Sequence, residues 1–376
     1  MVDSFKSYVV AKRSDCSGQV AVLLEDDLYS AVVLTGLQAL DIHHQVISET
    51  FTKRERAECI AQWKPTLLVT ESSFIDEADQ WLWGTEALQH IALVDDYKPE
   101  AVQSHKEEHF KDIWNRVAQT SHQAINDYGW QNSYSGEAFS VAEMEEYVHN
   151  FTSKLAPHID EASRVLEVGC GHGLVLFQLA PKVERYLATD LSEVIIEKNR
   201  DKAKNRNLSH VSLEALSAVE IGQLNQSEKF DVVICSSAVH YFPNTVYLEK
   251  VVAAAIQKLD DTGVIYLDDL MDLSKKEALV ASAINYNEHH ETTTAKTDWD
   301  SDLFISRTFF EKLQENYPEI VAWEASNKLG KINNELTRYR YDVLLKIDKT
   351  QAAHQYANQG PYSHAVLSDQ SQSMLE

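Results

Sequence analysis

The nine residues from Val165 to Gly173, VLEVGCGHG, join an apolar run to glycines at every second position. A short apolar run bounded by turn formers is typical of a buried strand in a parallel sheet. Glycine has no side chain and readily adopts positive φ, so such a turn lets the backbone approach a bound molecule closely. The segment therefore predicts a core strand of a parallel α/β sheet, with a ligand held at its carboxyl end.

The residues after Arg164 alternate between strand-like and helix-like patterns. The strands are RVLEVG, RYLATD, HVSLEA, FDVVICSS and GVIYLDD, with helices after Gly173, up to Arg206 and over Tyr247 to Leu259. Residues 274–317 are expected to be largely helical, and Ile320 to Ala325 with Arg338 to Ile347 to form a final hairpin. Right-handed crossovers in this order predict a doubly wound, Rossmann-like α/β sheet that binds its ligand beyond the carboxyl ends of the strands.

A weaker alternation precedes this region. The strands are QVAVLL, Gln45 to Ile47, Thr66 to Thr70 and Ile91 to Asp95, with helices over Leu28 to Leu40 and Thr52 to Trp63. We therefore expect a smaller α/β domain over residues 1–97 and a linker and helical lid over 98–150. A catalytic domain over 151–347 and a flexible tail over 348–376 complete the expected organisation. Within the lid, Ser140 and Glu143 have the spacing of a helix capping box.

The bulk composition excludes several classes of function. A formal net charge of −24 disfavours nucleic acids and anionic membranes, because both are bound mainly through Lys and Arg. No apolar run approaches the roughly 20 residues that span a bilayer. Four widely spaced cysteines indicate free thiols, and we expect a cytoplasmic protein. The basic residues between Lys198 and Arg206 favour a solvated helix face, with docking of an acidic partner as the alternative.

Two acidic strand ends indicate the kind of ligand. Glycines alone would equally suit a nicotinamide dinucleotide, but Glu167 is badly placed beside a pyrophosphate and well placed beside a cationic or amino-bearing ligand. This favours S-adenosyl-L-methionine. Asp190 ends the strand 17 residues after Gly173, where a carboxylate accepts hydrogen bonds from ribose hydroxyls; a helix N-cap is the alternative. Ala218 and Val219 are candidates to flank the adenine.

The strand FDVVICSS carries Ser236 to the same sheet edge, followed by His240 and Tyr241. Methyl transfer to oxygen requires positioning and removal of a proton, and histidine suits the second task. A core or helix-capping histidine is the alternative interpretation of His240. Asp269 is expected to contact substrate or to cap the following helix.

Metal binding is not expected. The pairs His43-His44 and His289-His290 lack an array of carboxylates or cysteines with ligand spacing, and adjacent residues of a strand point to opposite faces.

Five segments, GWQNSYSGEAFSVAEMEEYV, VLEVGCGHGLVLFQLAP, YLATDLS, FDVVICSSAVHYFPN and NNELTRYRYDVLL, occur in this order. Together they resemble the methyltransferase domains embedded in nonribosomal peptide synthetases and polyketide synthases, over about residues 127–347. The resemblance implies a class I methyltransferase acting on a hydroxyl or amine of an intermediate, often one held as a thioester on a carrier protein.

The resemblance also implies site residues. The residues implied to bind the cofactor are Glu167, Gly169, Gly171 and Asp190, and we add Leu191, Ala218, Val219 and Ser236 as neighbours. Tyr134 is implied to close over the cofactor. Asn334 and Glu335 are implied to project toward the substrate, with Glu335 orienting or assisting His240, and we add Trp130, Tyr241 and Asp269 to the substrate wall.

The sequence departs from the commoner family pattern in three places. His240 replaces a usual glutamine, Met271 a usual arginine, and Val219 a usual acidic neighbour of adenine. The first departure favours O-methylation. N-methylation of an aminoacyl group, a non-catalytic docking module and an NAD-dependent oxidoreductase are the alternatives; the last is disfavoured because Glu167 is misplaced for it and no catalytic Lys–Tyr pair stands out.

The front segment has a resemblance of its own. VAVLLEDDLYSAVVLTGLQAL with RAECIAQWKPTLLVTES is similar to the N-terminal portion of an adenylation domain. No Ser/Thr/Gly-rich phosphate loop follows it, so we expect a docking or structural remnant rather than ATP activation.

Overall fold

The computed structural model describes residues 19–25, 28–85, 87–94, 111, 115, 130–225, 227–290, 294–299, 301–350 and 362–364. The chain divides into two compact units, Met1–Ala101 with Ala357–Glu376, and Val102–Tyr356. Cys16 and most of the expected linker, residues 98–129, lie outside the described residues. Cys59, Cys170 and Cys235 are free thiols.

The first unit contains a parallel sheet. Its strands are β1 Val20–Leu23, β2 His44–Val46, β3 Leu67–Thr70, β4 His90–Leu93 and β13 Tyr362–His364, in the order β13-β4-β3-β1-β2. Its helices are α1 Leu28–Ala39, α2 Lys53–Trp63 and α3 Ile75–Gly84. Apolar side chains from β1, β3 and α1, including Val22, Val69 and Leu37, form the buried core. The sequence patterns predict all of these elements except α3 and β13, and β13 lies within the tail that was expected to be flexible.

The second unit contains a larger mixed sheet. Its strands are β5 Arg164–Val168, β6 Arg185–Asp190, β7 Val211–Ala215, β8 Phe230–Ser236, β9 Leu259–Asp272, β10 Phe304–Ile305, β11 Ile320–Asn327 and β12 Arg340–Asp348. Its helices are α4 Val141–Leu155, α5 Leu176–Leu179, α6 Glu193–Asn205, α7 Thr245–Lys258, α8 Lys276–His290, α9 Arg307–Asn316 and α10 Glu335–Tyr339. The sheet order is β11-β12-β9-β8-β5-β6-β7, with β10 paired to β9.

Strand order reverses at β5, and this reversal positions the site. Leu166 of β5 pairs in parallel with Leu187 of β6 on one side and with Val233 of β8 on the other. The loops that leave β5 and β8 therefore diverge to opposite sides and open a crevice at the carboxyl edge, where doubly wound sheets bind ligands. The predicted Rossmann-like fold is confirmed.

The final strands complete the sheet from the other side. β12 runs antiparallel between β9 and β11, with Leu344 opposite Tyr266 and Glu324. β9 is longer than the pattern GVIYLDD predicts, because β8 and β12 flank it and bury nearly all of its second half. The region expected to be largely helical, residues 274–317, contains α8 and α9 but is interrupted by β10.

The helix before the sheet begins as predicted. The Ser140 hydroxyl oxygen accepts a hydrogen bond from the Glu143 N–H, and the Glu143 carboxylate accepts one from the Ser140 N–H. This reciprocal capping fixes the first turn of α4. The helix buries Met144, Tyr147 and Phe151, which brings Tyr147 to the carboxyl edge of the sheet. No helix among the described residues is both long and apolar enough to cross a bilayer.

Candidate active site

The turn after β5 depends on glycine at specific positions. Gly169, Gly171 and Gly173 have φ angles of 75°, 47° and 86°, in the left-handed region that side chains disfavour. A Cβ on Gly169 would lie 2.8 Å from Cβ of Ala238, whereas nothing lies within 4 Å of one on Gly171. The turn is thus shaped by both backbone conformation and close packing against the segment after β8.

Two buried carboxylates flank this turn. Glu167 is 1% exposed, and its Oε2 accepts a 2.8 Å hydrogen bond from the Tyr186 hydroxyl. Burial raises the pKa of Glu167 to about 8, because a charged group is poorly stabilised away from water. Asp190 accepts 2.9 Å hydrogen bonds from the N–H groups of Gly171 and Ser192, and burial also raises its pKa. The N-cap of α6 is Ser192, so the alternative interpretation of Asp190 as the cap is wrong.

The turn opens into a cavity of about 390 Å³, within the size range of small-molecule sites. Ten of the predicted site residues line it: Trp130, Glu167, Gly169, Gly171, Asp190, Leu191, Ala218, Ser236, His240 and Tyr241. They come from the carboxyl ends of four adjacent strands, β8, β5, β6 and β7, and from the segment before α4. The sheet therefore brings together residues that are more than 100 positions apart in the sequence.

His240 lies in a 3₁₀ turn, Val239–Tyr241, directly after β8. Its side chain is buried, and among the described residues its Nδ1 has no hydrogen-bond partner. Burial, and then the positive charge of Arg340, lowers the pKa of His240 to about 3. The imidazole is therefore neutral at neutral pH and keeps a lone pair for a proton or a hydrogen bond.

The structure does not support the predicted partnership of Glu335 with His240. Both Glu335 carboxylate oxygens accept the Ser133 N–H, at 3.1 and 3.2 Å, and Oε1 also accepts the Ser133 hydroxyl. Glu335 thus lies behind the cavity wall and holds Ser133, which does line the cavity. Asn334 is the N-cap of α10 and donates to Glu143, so its side chain is engaged in local structure rather than directed at a substrate.

Three further predicted residues lie outside the cavity wall. The Tyr134 hydroxyl donates to Ser282 Oγ on α8 at 3.2 Å, and burial raises its pKa to about 12. Val219 belongs to the 3₁₀ helix Ala218–Gln223, and only its neighbour Ala218 lines the cavity. Asp269 is fully buried and binds Arg340. The cap after β9 is Asp272, so the capping alternative for Asp269 is wrong.

Sequence reasoning missed a cluster of polar and aromatic residues in the same wall. Lys296 Nζ lies 2.5 Å from Asp302 Oδ2 and 4.3 Å from the centroid of the Trp299 ring. Arg340 lines the cavity with them. A signal for Arg340 was present, because it falls within the RYRYDVLL stretch that carries the family resemblance. The residues from Lys296 to Asp302 follow no periodic pattern, and only the fold places them here.

Beneath the cavity lies a buried ionic network. Lys328 Nζ contacts Asp268 Oδ1 at 2.6 Å and Asp342 Oδ1 at 2.7 Å. Asp268 also accepts the hydroxyls of Ser236, at 2.8 Å, and Tyr147, both of which line the cavity. Charged hydrogen bonds of this kind hold side chains in one geometry. The network therefore fixes two side chains of the cavity wall.

The residues around the glycine turn match a known family. Residues 159–334 match the family model described as a methyltransferase domain. This part of the chain is a methyltransferase domain. With the glycine turn and its two acidic strand ends, the match identifies an S-adenosyl-L-methionine-dependent methyltransferase.

The relatives of the methyltransferase domain include parts of large synthetases. Chondramide synthase cmdD of Chondromyces crocatus is 31% identical over 289 residues, which are 73% of this chain and 7% of that protein. Enniatin synthase of Fusarium equiseti is 28% identical over 241 residues, 59% of this chain and 7% of that protein. The chain thus spans a small fraction of the length of the curated relatives it matches.

Two solved structures are similar to the chain at low sequence identity. Phosphoethanolamine N-methyltransferase 1 of Haemonchus contortus is 16% identical, with 71% of this chain and 53% of that chain covered and a TM-score of 0.47. Magnesium protoporphyrin IX methyltransferase of Synechocystis PCC 6803 is 13% identical, with 66% and 98% covered and a TM-score of 0.41.

The cavity of the methyltransferase domain suits its cofactor. The turn leaves no room for a Cβ at Gly169, and the backbone there is open to close approach by a ligand. Asp190 uses one lone pair on each oxygen for backbone N–H groups, which leaves others for hydroxyl donors. Glu167, held protonated by burial in the absence of a ligand, would regain its charge beside a cation. Among the described residues, no cluster of three His, Cys, Asp or Glu could hold a metal ion.

Proposed function

We propose that the chain transfers a methyl group to a hydroxyl of a peptide or polyketide intermediate that is tethered to a carrier protein. The observation that carries this proposal is the buried, neutral His240, whose Nδ1 lacks a partner among the described residues and which lines the same cavity as the glycine turn. A hydroxyl group in that cavity would find an acceptor for its proton. The synthetase relatives support a tethered intermediate.

The cofactor would be held by residues from four strand ends. Gly169 and Gly171 would admit it close to the backbone, Asp190 would accept the ribose hydroxyls, and Glu167 would face its positive charge. Leu191, Ala218 and Ser236 complete that side of the cavity. When bound, S-adenosyl-L-methionine supplies a methyl carbon activated by a positively charged sulfur, which would leave as a neutral thioether when the methyl–sulfur bond breaks.

His240 would accept the hydroxyl proton as the new oxygen–carbon bond forms. Its low pKa makes it a weak base, so most of the rate must come from positioning the oxygen in line with the methyl carbon. Trp130 and Tyr241 line the cavity and would pack against the acceptor. The ring of Tyr241 lies 4.0 Å from that of His240 and would hold the imidazole in place.

N-methylation of an aminoacyl group is the second candidate. Burial, and then the positive charge of Arg340, lowers the pKa of His240, and both would also lower the pKa of a bound α-amino group, which is about 8 in water. A neutral amine is nucleophilic without a base. The cavity therefore favours an uncharged acceptor, either a hydroxyl or a free amine, over an ammonium ion.

Replacing His240 tests the proposal. We expect His240→Ala to lower turnover of a hydroxyacyl carrier substrate about 10²-fold, the usual contribution of general base catalysis. His289→Ala, an exposed histidine on α8, is the matched control and should leave the rate unchanged. Equal rates for the His240 variant and the wild type would reject the base role.

Two further measurements separate the alternatives. Hydroxyacyl and aminoacyl carrier substrates should be assayed side by side, with mass spectrometry of the carrier. If only the aminoacyl substrate is methylated, N-methylation replaces O-methylation as the proposed reaction. Calorimetry with S-adenosyl-L-methionine tests the remaining possibility, a docking module without activity, which predicts no binding.

A further inference from the structure

We propose that Arg340 is a substrate-binding residue, whose guanidinium donates a hydrogen bond to the carbonyl oxygen of the acyl group that bears the methylated hydroxyl. This inference rests on the proposed function and names the chemical class of its substrate: a hydroxyacyl thioester whose carbonyl lies close to the accepting hydroxyl.

The first argument is the unused hydrogen-bonding capacity of Arg340. The residue begins β12, is 9% exposed and lines the cavity. A guanidinium has five N–H donors, and one on Nη1 goes to Asp269 Oδ2. Within the described part of the chain the guanidinium makes no second hydrogen bond. Because Arg340 lines the cavity, its remaining donors are available to an oxygen acceptor of a bound molecule.

The second argument is that the guanidinium is held in place. Asp269, its partner, accepts a 2.8 Å hydrogen bond from the Ser237 hydroxyl, and its N–H donates to Asp342 Oδ1 at 3.0 Å. Lys328 Nζ lies 3.7 Å from Asp269 Oδ1. A donor whose orientation is fixed beforehand loses little entropy when a substrate binds. Arg340 is therefore preorganised for one acceptor position.

The third argument concerns charge, which distinguishes a carbonyl from a carboxylate. Asp268, Asp269 and Asp342 contact the cations Lys154, Lys328 and Arg340. The charges of Asp269 and of the buried carboxyl of Glu335 both raise the pKa of Arg340, so its positive charge is already balanced by carboxylates. A further anion would be buried without compensation, which is unfavourable. A neutral carbonyl oxygen satisfies the remaining donors without adding charge.

The fourth argument is the proximity of Arg340 to His240. Arg340 is the group whose positive charge contributes most to lowering the pKa of His240, and both residues line one cavity. An acceptor whose hydroxyl meets His240 can therefore present a neighbouring carbonyl to Arg340. Two such contacts would orient the oxygen for transfer, as binding groups near a reacting centre do.

The test compares two substrates in three proteins. The substrates are lactoyl-pantetheine and S-(2-hydroxypropyl)pantetheine, which has CH₂ in place of the carbonyl. The proteins are wild type, Arg340→Lys and the control Arg338→Lys, an exposed arginine on α10. In wild type and control we expect the loss of the carbonyl to lower kcat/KM about 10- to 100-fold, the ratio that a hydrogen bond to a charged donor contributes. In Arg340→Lys the two substrates should differ by less than about 3-fold, because a lysine ammonium lacks the fixed fork of a guanidinium.

If Arg340→Lys lowers kcat/KM by the same factor for both substrates, the inference is overturned. It is also overturned if the wild type has the same kcat/KM for both. If Arg340→Lys fails to fold, the double variant Arg340→Met with Asp269→Asn, which removes both charges of the pair, takes the place of Arg340→Lys in the same comparison. Transfer by wild type to alanyl-pantetheine alone would refute O-methylation but not the role of Arg340. Comparing alanyl-pantetheine with its analogue that has CH₂ in place of the carbonyl would then decide the role of Arg340.

Discussion

The carboxyl group of Glu167 should make the unfolding free energy depend on pH, because burial in the fold raises its pKa from 4.5 to about 8. Between these two values the folded protein keeps the proton while the unfolded chain releases it. Stability falls with rising pH wherever the native state binds more protons. Glu167 therefore destabilises the ligand-free protein progressively from about pH 4.5, and the effect is complete only above about pH 8.

The magnitude follows from the size of the shift. One pKa unit corresponds to about 1.4 kcal/mol, so a rise of this size corresponds to at most about 5 kcal/mol of unfolding free energy. Glu167→Gln keeps the shape of the protonated acid and an oxygen acceptor for the Tyr186 hydroxyl. The variant should match wild type near pH 5 and exceed it by several kcal/mol at pH 8 or above, on the order of that ceiling.

The assay is denaturant unfolding of the ligand-free protein at several values from pH 5 to 9, for wild type, Glu167→Gln and the exposed control Glu161→Gln. Titration of other groups is common to all three proteins and cancels in the difference. A stability difference between Glu167→Gln and wild type that stays constant across this range would refute the reasoning, since only a group that titrates there produces a slope.

Three other predictions concern the same site. Gly169→Ala should abolish cofactor binding measured by calorimetry, since its Cβ would lie 2.8 Å from that of Ala238. Gly171→Ala should lower the unfolding free energy of the ligand-free protein only by the backbone strain of about 1–2 kcal/mol, less than Gly169→Ala does, and equal effects of the two changes on that free energy would contradict the packing argument. Lys328→Met should lower the unfolding free energy by about 3–5 kcal/mol because it leaves buried carboxylates unpaired. A change below about 1 kcal/mol would show that Lys328 and its carboxylate partners are not charged in the folded protein. The ratio of the wild-type turnover to that of His240→Ala should not change with pH near neutrality, because the pKa of His240 lies near 3. A titration near pH 6.5 that is present in the wild-type rate and absent from that of the variant would contradict this protonation state.

The sequence predicts the cofactor side of the site better than the substrate side. Glu167, Gly169 and Asp190 sit within or directly after single strands, so their neighbours follow from local pattern and parallel pairing. Glu335 and Asn334 adjoin a helix start, where a side chain can equally cap the helix or hold a loop. The structure selects the local role for both, and no periodicity in the sequence distinguishes those outcomes.

The substrate side depends on antiparallel pairing that is remote in sequence. β12 lies beside β9, with Arg340 opposite Met271 and Tyr341 opposite Leu270, and only this pairing brings Arg340 and Asp342 to the acidic pair Asp268 and Asp269. Each of those charges would be unfavourable in the core alone. The family resemblance places a usual arginine where this chain has Met271, and the residue paired with it in the structure is itself an arginine. The guanidinium at this edge is therefore supplied by β12, so the electrostatics of the cavity are complete only when the last strand of the domain has paired.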